Sequence, residues 1–393
     1  MDLTSEQQKM FDGENGEAIQ QAMEILVALG EIYGAKGMVP VSSVQVAGVS
    51  YKTLGDAGIE YLQDYAKKGA KTRVTTFLNP AGIDREQWRK MQIPEYFAKK
   101  SIEALDAFKA MGIIMTCTCT PYYIGIRPKV GEHVAWAESS AVSFCNSVLG
   151  ARTNREGGPS ALAAGICGFT PNYGYHLDEN RKCKLEISVE PEIKTSADFG
   201  ALGAWAGTIA KDKNPAFVGL NSAFCTEDKL KGLGASMAAW GSVALFNAKT
   251  ITPQYILADD VEKFTFTKNE LKEMRKSMTS DEKPEMVAIG CPHASIDEIK
   301  EVADKVKNKK ILNKLWVCTA RETKQKADKL GYTSEIEHAG GLVIADTCMV
   351  VCPLKEMGFK TTACNSGKAA KYLASSQGQK VVYGNLDDII ISK

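Results

Sequence analysis

The apolar positions in the first third of the chain fall into two alternating patterns, stretches where they recur every three or four residues and short runs where they are nearly continuous. The first stretch opens as a capped helix, with Thr4 followed by Glu6, Gln7 and Gln8, and continues through DGENGEAIQQAMEILVALGEIYG, whose apolar residues share one helical face. VSSVQVAGVSY then reads as a strand, GDAGIEYLQDYAKKG as a helix, TRVTTFLNP as a strand, YFAKKSIEALDAFKAMG as a long helix and IIMTCTCT as an apolar strand. This alternation predicts a doubly wound α/β lobe, in which ligands gather at the carboxyl ends of the strands. The residues just beyond those ends are Gly48, Val49 and Ser50, then Asn79 and Pro80, then Cys119 to Tyr122. They are expected to face one crevice.

From about Glu132 to Lys249 the chain turns rich in Gly and Ala, with ARTNREGGPSALAAGICGFTPNYGYH and a helical LKGLGASMAAWGSVALF. Such small residues suit close helix packing or a backbone brought near a ligand. DDVEKFTFTKNELKEMRKSMTSDEKPE is polar and reads as a solvated helix and a linker. A compact lobe follows, with MVAIGCPH, KLWVCTA and GGLVIADTCMVV as strands and IDEIKEVADKV and RETKQKADKLG as helices between them. The expected organisation is therefore an N-terminal α/β lobe over 1–130, a Gly/Ala-rich middle region with a charged helical linker over 131–283, and a C-terminal α/β lobe over 284–393.

With 393 residues and 44% hydrophobic content the chain can bury a large core. Its 48 Lys and Arg nearly cancel 47 Asp and Glu, so no global field draws it to nucleic acid or an anionic membrane, and a small-molecule ligand is expected. MDLTSEQQKMFDG lacks the basic and apolar regions of a signal peptide, which points to a cytoplasmic protein. Eleven cysteines in such a chain argue for metal binding, catalysis or burial rather than a disulfide framework. Cys145, Cys167, Cys225 and Cys318 sit in apolar surroundings and read as core residues. Zinc is disfavoured because no C-x-x-C pair occurs.

Three other cysteines lie in short polar turns or beside proline, on segments far apart: Cys119 in TCTCTPYY, Cys291 in AIGCPH and Cys348 in ADTCMVVCP. They look like ligands of one iron-sulfur cluster. Three thiolates leave the fourth iron of a cubane open, and an open iron can act as a Lewis acid in hydration or dehydration. Other polar groups could complete such a site. The glycine turn at Gly48, Val49 and Ser50 could offer backbone N–H groups to an anion, and is equally an ordinary loop. Ser366, Gly367 and Lys368 in NSGK combine a hydroxyl with a compact cation, or form a helix cap beside a surface lysine. Glu132, His133, Glu138, Ser139 and Ser140 form the densest polar cluster in an apolar, helix-like stretch, so they either pair with one another or line a site. Arg152 and Arg155 are possible anion contacts, or partners of Glu138 or Glu156.

TCTPYY, GEHVAWAESSAVSFCNSVLGARTNREGGPSALAAGICG, GCPHAS, ADTCMVV and NSGKAAKY together resemble aconitase X, a branch of the aconitase superfamily, over nearly the whole chain. The resemblance implies a multi-lobed, aconitase-like fold with the cluster, of the 4Fe-4S type, at the lobe interface. The matching ligand positions are Cys119, Cys291 and Cys348, with Cys117 on the same strand face as Cys119 and Cys352 four residues past Cys348 as rivals, and Cys364 an outsider. It adds Glu138, Ser139 and Lys368 as substrate contacts, beside the strand-end candidates Gly48, Val49, Ser50, Asn79 and Pro80. Glu138 and Ser139 are the catalytic candidates, the glutamate a proton-transfer group whose pKa a dry pocket could raise. Within the family this chain length implies a two-chain hydro-lyase acting on mevalonate 5-phosphate rather than the longer single-chain form acting on cis-3-hydroxy-L-proline. Aconitase-type enzymes close the site with a swivelling domain that carries a serine base, and no such lobe is evident before Lys393, so a small partner subunit is expected to bring it. A non-catalytic iron-sulfur sensor or scaffold is the reading from another class.

Overall fold

The structure, a computed structural model, describes all 393 residues. The first lobe runs α1 (Ser5–Phe11), α2 (Glu17–Ile32), β1 (Met38–Pro40), β2 (Ser43–Val46), α3 (Tyr51–Lys67), β3 (Thr75–Leu78), α4 (Glu95–Ala110), β4 (Ala135–Trp136), α5 (Ser139–Phe144), α6 (Gly158–Cys167) and β5 (Phe169–Pro171). The opening helix is in fact two. Thr4 and Gln7 form a reciprocal capping box on α1, and Gly13 and Gly16, both at positive φ, turn the chain before α2. Strands β3, β2 and β4 make a parallel sheet in that order, and β1 pairs antiparallel with β5. The chain thus returns to the first lobe after residue 130, with segments that the sequence reading placed in the middle region.

The second lobe comprises β6 (Cys183–Val189), α7 (Ser196–Ala210), β7 (Pro215–Val218), α8 (Glu227–Gly241), β8 (Asn247–Ala248), β9 (Leu257–Phe266) and α9 (Lys268–Ser277). Its four strands are parallel in the order β8-β7-β6-β9. DDVEKFTF, expected as part of a solvated helix and linker, is strand β9. It is an edge strand with one face in water, so its charges alternate with half-buried apolar residues and hide the strand signal. The small residues do serve close helix packing. A Cβ on Gly203 would stand 2.4 Å from the Leu233 carbonyl oxygen, and one on Gly207 2.9 Å from that of Met237, so α7 and α8 approach nearly backbone to backbone.

The third lobe contains β10 (Met286–Ala294), α10 (Ile296–Val306), β11 (Lys314–Thr319), α11 (Arg321–Lys329), α12 (Tyr332–His338), β12 (Leu342–Ala345), β13 (Thr361–Cys364), α13 (Gly367–Ser375), β14 (Lys380–Tyr383) and α14 (Leu386–Ile389). Its sheet is parallel throughout, in the order β12-β11-β10-β13-β14. This is a doubly wound sheet whose strand order reverses at β10, and the crevice at such a reversal receives ligands. No helix in the chain is long and apolar enough to cross a membrane.

One apolar core joins the lobes. It takes Ile83, Met91 and Ala98 from the first, Ala197, Ala201 and Ala204 from the second, and Met286, Trp316, Leu354 and Leu373 from the third. Beside it runs a buried charge seam. Arg321 pairs with Asp84 at 2.7 Å and with Asp346, and both aspartates have no exposed surface. Arg85 adds a second cation to Asp346 at 2.9 Å. Removing one partner of a buried pair strands the other charge, at a cost of about 3–5 kcal/mol. Arg321→Leu is therefore expected to lower unfolding stability by that amount in urea titration.

Candidate active site at the lobe junction

The carboxyl ends of β2, β3 and β4 share one edge of the first sheet and carry, respectively, the turns at Gly48–Ser50, Asn79–Pro80 and Glu138. Ser50 caps α3 by accepting from the Lys52 N–H, and its hydroxyl donates across the junction to the Val351 carbonyl at 2.9 Å. Ala81 N–H reaches the Asp346 carbonyl at 2.8 Å. These bonds lay the first-lobe turns against the loop that carries Cys348. The Asn79 side-chain oxygen is buried with no partner, an uncommon state for a polar atom and one that suits a ligand contact.

Opposite this edge, Cys291 lies near the carboxyl end of β10, Cys348 follows β12 and Lys368 opens α13 just after β13. Ser366 caps α13 and donates its hydroxyl to the Cys291 carbonyl. Lys368 crosses the junction to bond Glu138, with a second contact to the Ser140 hydroxyl at 3.3 Å. Glu138 is itself the N-cap of α5, accepting from Ala141 N–H at 2.7 Å and Ser140 at 2.5 Å. Lys368 is 7% and Glu138 5% exposed, so the pair is a desolvated one.

Burial alone would raise the Glu138 carboxyl, but the Lys368 ammonium and the hydrogen bonds from Lys368, Ser140 and Ala141 outweigh it and hold the group below its ordinary value. The expectation that a dry pocket raises this pKa is therefore corrected: a cation was placed in the pocket with it. Burial likewise opposes the charge on Lys368, yet Glu138, Cys291 and Cys119 hold the ammonium charged.

All three predicted ligand cysteines belong to this group. Cys119, Cys291 and Cys348 are 5%, 5% and 6% exposed and none is in a disulfide. A hydrogen bond from Cys291 brings Cys348 down to about 7 against the effect of burial, with help from the Val350 and Val351 N–H groups and Lys368. The same bond, with burial, pushes Cys291 up. Burial raises Cys119, with Lys368 and the His293 N–H, 3.1 Å from its sulfur, pulling the other way. No three His, Cys, Asp or Glu side chains converge tightly enough to hold a single metal ion. A cubane makes a different demand, since each of its irons takes its own thiolate and the ligands stand apart. Three buried thiols beside a lysine and backbone donors are a donor set that fits such a cluster.

The other cysteines named as candidates sit in different surroundings. IIMTCTCT is not a strand: Ile114 forms only an isolated bridge with Phe77, and Cys117 has a φ of 44°. The left-handed turn breaks the shared face on which Cys117 and Cys119 were expected, and Cys117 packs instead in the first-lobe core beside Asp346, Arg85 and Arg321. Cys352 meets the Met357 sulfur at 3.9 Å, and Cys364 bonds the Ser366 carbonyl at 3.6 Å. The polar cluster also divides. Ser139 and Ser140 join Glu138, but His133 bonds His176, Nδ1 to Nδ1, at 2.9 Å and does not orient Glu138. Arg152 pairs with Asp178 and the His176 carbonyl rather than with Glu138 or Glu156. Cys318, read as a core residue, is buried but lies within electrostatic reach of Cys348, Cys352 and Cys119. His293 was not singled out in the sequence; GCPHAS carried the only signal for it. Serine at Cys119, Cys291 or Cys348 is expected to cut the iron content of anaerobically purified chain by at least about tenfold, an effect that even outer partners of metal ligands can have. Cys352→Ser and Cys364→Ser should keep it.

Comparison with known proteins agrees with this architecture. The family profile described as Aconitase X first domain matches residues 1–179, the second-domain profile 183–276 and the third-domain profile 284–393. The phosphomevalonate dehydratase large subunit of Methanocaldococcus jannaschii is 48% identical over 99% of each chain. That of Methanothermobacter thermautotrophicus is 50% identical over 99% of this chain and 98% of its own. The cis-3-hydroxy-L-proline dehydratase of Hypocrea jecorina is 30% identical and aligns with 98% of this chain but 67% of its own length. The crystal structure of Thermococcus kodakaraensis aconitase X in its holo form superposes with a TM-score of 0.93 at 47% identity, covering 99% of this chain and 98% of that one. On profiles, identity and fold alike, the chain belongs to the aconitase X family.

Proposed function

We infer that this chain is the large, catalytic subunit of a hydro-lyase that dehydrates (R)-mevalonate 5-phosphate to trans-anhydromevalonate 5-phosphate in the archaeal mevalonate route to isoprenoids. The observation that carries the reading is the buried Lys368–Glu138 pair set among Cys119, Cys291 and Cys348. Full-length identities of 44–50% to several phosphomevalonate dehydratase large subunits support the substrate. A 4Fe-4S cluster on the three cysteines would supply Lewis acidity at the leaving hydroxyl.

Mevalonate 5-phosphate presents a carboxylate, a tertiary hydroxyl and a phosphate. Loss of the hydroxyl and of a proton alpha to the carboxylate builds negative charge on that carboxylate. Lys368, held charged and immobile by Glu138, is placed to stabilise it. The N–H groups of Gly48, Val49 and Ser50 lie in the turn that leads into α3, whose N-cap is Ser50, and offer a seat for an anionic end of the substrate. The Asn79 amide, its oxygen without a protein partner, and Pro80 line the same edge. Ser139, half-buried beside Glu138, completes the carboxylate side. Glu138 is ionised and can accept a proton, but both of its oxygens are already engaged, so its main duty is to orient Lys368. The alpha proton then passes to a serine on the swivelling domain of a small partner subunit, in keeping with relatives called large subunits. The pair works in the cytoplasm.

The test is NMR of mevalonate 5-phosphate with anaerobically purified chain, with and without a co-expressed small partner. A new vinylic proton signal with the pair alone is the expected result. Turnover of cis-3-hydroxy-L-proline in its place, or no turnover of either compound by a pair that carries its cluster, would overturn the reading, the second outcome in favour of a sensor or scaffold.

A further inference from the structure

His293 sits two residues beyond Cys291 with no exposed surface, and every polar atom it has is used. Its ring Nδ1 is 2.9 Å from the Thr118 hydroxyl, next to Cys119, and its Nε2 is 2.9 Å from the Thr347 carbonyl, next to Cys348. Its backbone N–H donates to the Cys119 sulfur at 3.1 Å, and its carbonyl accepts from Lys231 of the second lobe at 3.2 Å. One side chain therefore touches the neighbours of two ligand cysteines while standing on the strand of the third, and the residue contacts all three lobes.

The hydrogen positions follow from the partners. A carbonyl can only accept, so Nε2 carries the proton and Nδ1 must accept from the Thr118 hydroxyl. Thr118, its own hydrogen spent on the ring, accepts from the Thr120 N–H at 3.1 Å and from the Thr120 hydroxyl at 3.2 Å. The result is a directed chain, Thr120 to Thr118 to His293 to Thr347, with each member buried. An imidazole fixed at both nitrogens is a rigid spacer between the Cys119 loop and the Cys348 loop. Gln45 and the Leu78 carbonyl tie Thr118 to the first lobe, and His293 bonds both the Thr118 hydroxyl and the Cys119 sulfur from the third-lobe strand that carries Cys291.

We propose that His293 is a positioning residue that fixes Cys119 relative to Cys291 and Cys348, and so governs how firmly the chain retains its iron-sulfur cluster. This rests on the cluster reading above. Outer-shell partners of metal ligands change metal affinity by about 10–100-fold when replaced, which sets the expected scale.

The experiment measures the rate at which anaerobically purified large–small pair loses iron to a chelator, followed by visible absorbance and by iron and acid-labile sulfide content. His293→Leu removes both ring bonds at similar volume. His293→Gln keeps an amide N–H within reach of the Thr347 carbonyl. Thr118→Val removes the other bond without touching the histidine. Iron loss faster by roughly tenfold or more is expected in His293→Leu, which loses both ring bonds, with Thr118→Val and His293→Gln, which each keep the bond to Thr347, faster than wild type but slower than His293→Leu. Loss at the wild-type rate in folded His293→Leu overturns the proposal. If that variant does not fold, Thr118→Val decides: faster loss supports the proposal and an unchanged rate overturns it. A wild-type pair that never binds iron overturns the cluster reading itself, and this inference with it.

Discussion

A buried ammonium must have an anion beside it, and in this protein the lysine and its anion come from different lobes. Lys368 opens α13 in the third lobe and Glu138 caps α5 in the first, so neither charge is compensated until the lobes meet. The desolvation of each ion is worth several kcal/mol. The same logic holds at Arg321, Asp84 and Asp346, again split between the lobes. These contacts make the junction specific in register as well as favourable in area. The three cysteines depend on that register, because Cys119 arrives with the first lobe while Cys291 and Cys348 belong to the third.

The apolar material is distributed to suit this. Separate cores fill the first lobe, the second lobe and one face of the third-lobe sheet. A further core spans the junction and includes Cys291 and Cys348 themselves. A polar, thiol-bearing seam thus lies between the lobes, its groups buried and held in place by the packing on both sides. In the proposed mechanism the fixed elements are the ammonium, the thiols and the turns at the ends of β2 and β3, and the mobile element is the partner's domain. A preorganised charge stabilises a developing carboxylate charge most when it need not reorganise during the reaction.

Much of this was legible in the chain. Helical and strand rhythms gave the alternation of the first and third lobes, and the turns after Val46 and Leu78 fell where the strands end. Cys119, Cys291 and Cys348 were preferred by their turns and by family resemblance, with Cys117 and Cys352 kept as rivals, and all three lie within electrostatic reach of Lys368. What stayed hidden has physical causes. Strand β9 is an edge strand with a charged outer face, so its composition mimics a linker. IIMTCTCT has strand composition, but a left-handed residue at Cys117 breaks it, and no pattern of side chains announces that. The ionised state of Glu138 could not be read from its neighbours in sequence, because the cation that sets it lies 230 residues away. His293 was hidden for the same reason, its partners being 175 and 54 residues distant.

The measurement that bears most directly on the cross-lobe pair is a double-mutant cycle in kcat/KM for the large–small pair acting on mevalonate 5-phosphate, built from Lys368→Met, Glu138→Gln and the double variant. If Glu138 acts chiefly by holding Lys368 in place, each single change should cost roughly 100-fold or more and the double should be within about threefold of the worse single, since groups that act as a unit are strongly non-additive. Losses that multiply in the double variant would show the two residues working independently and would contradict the account.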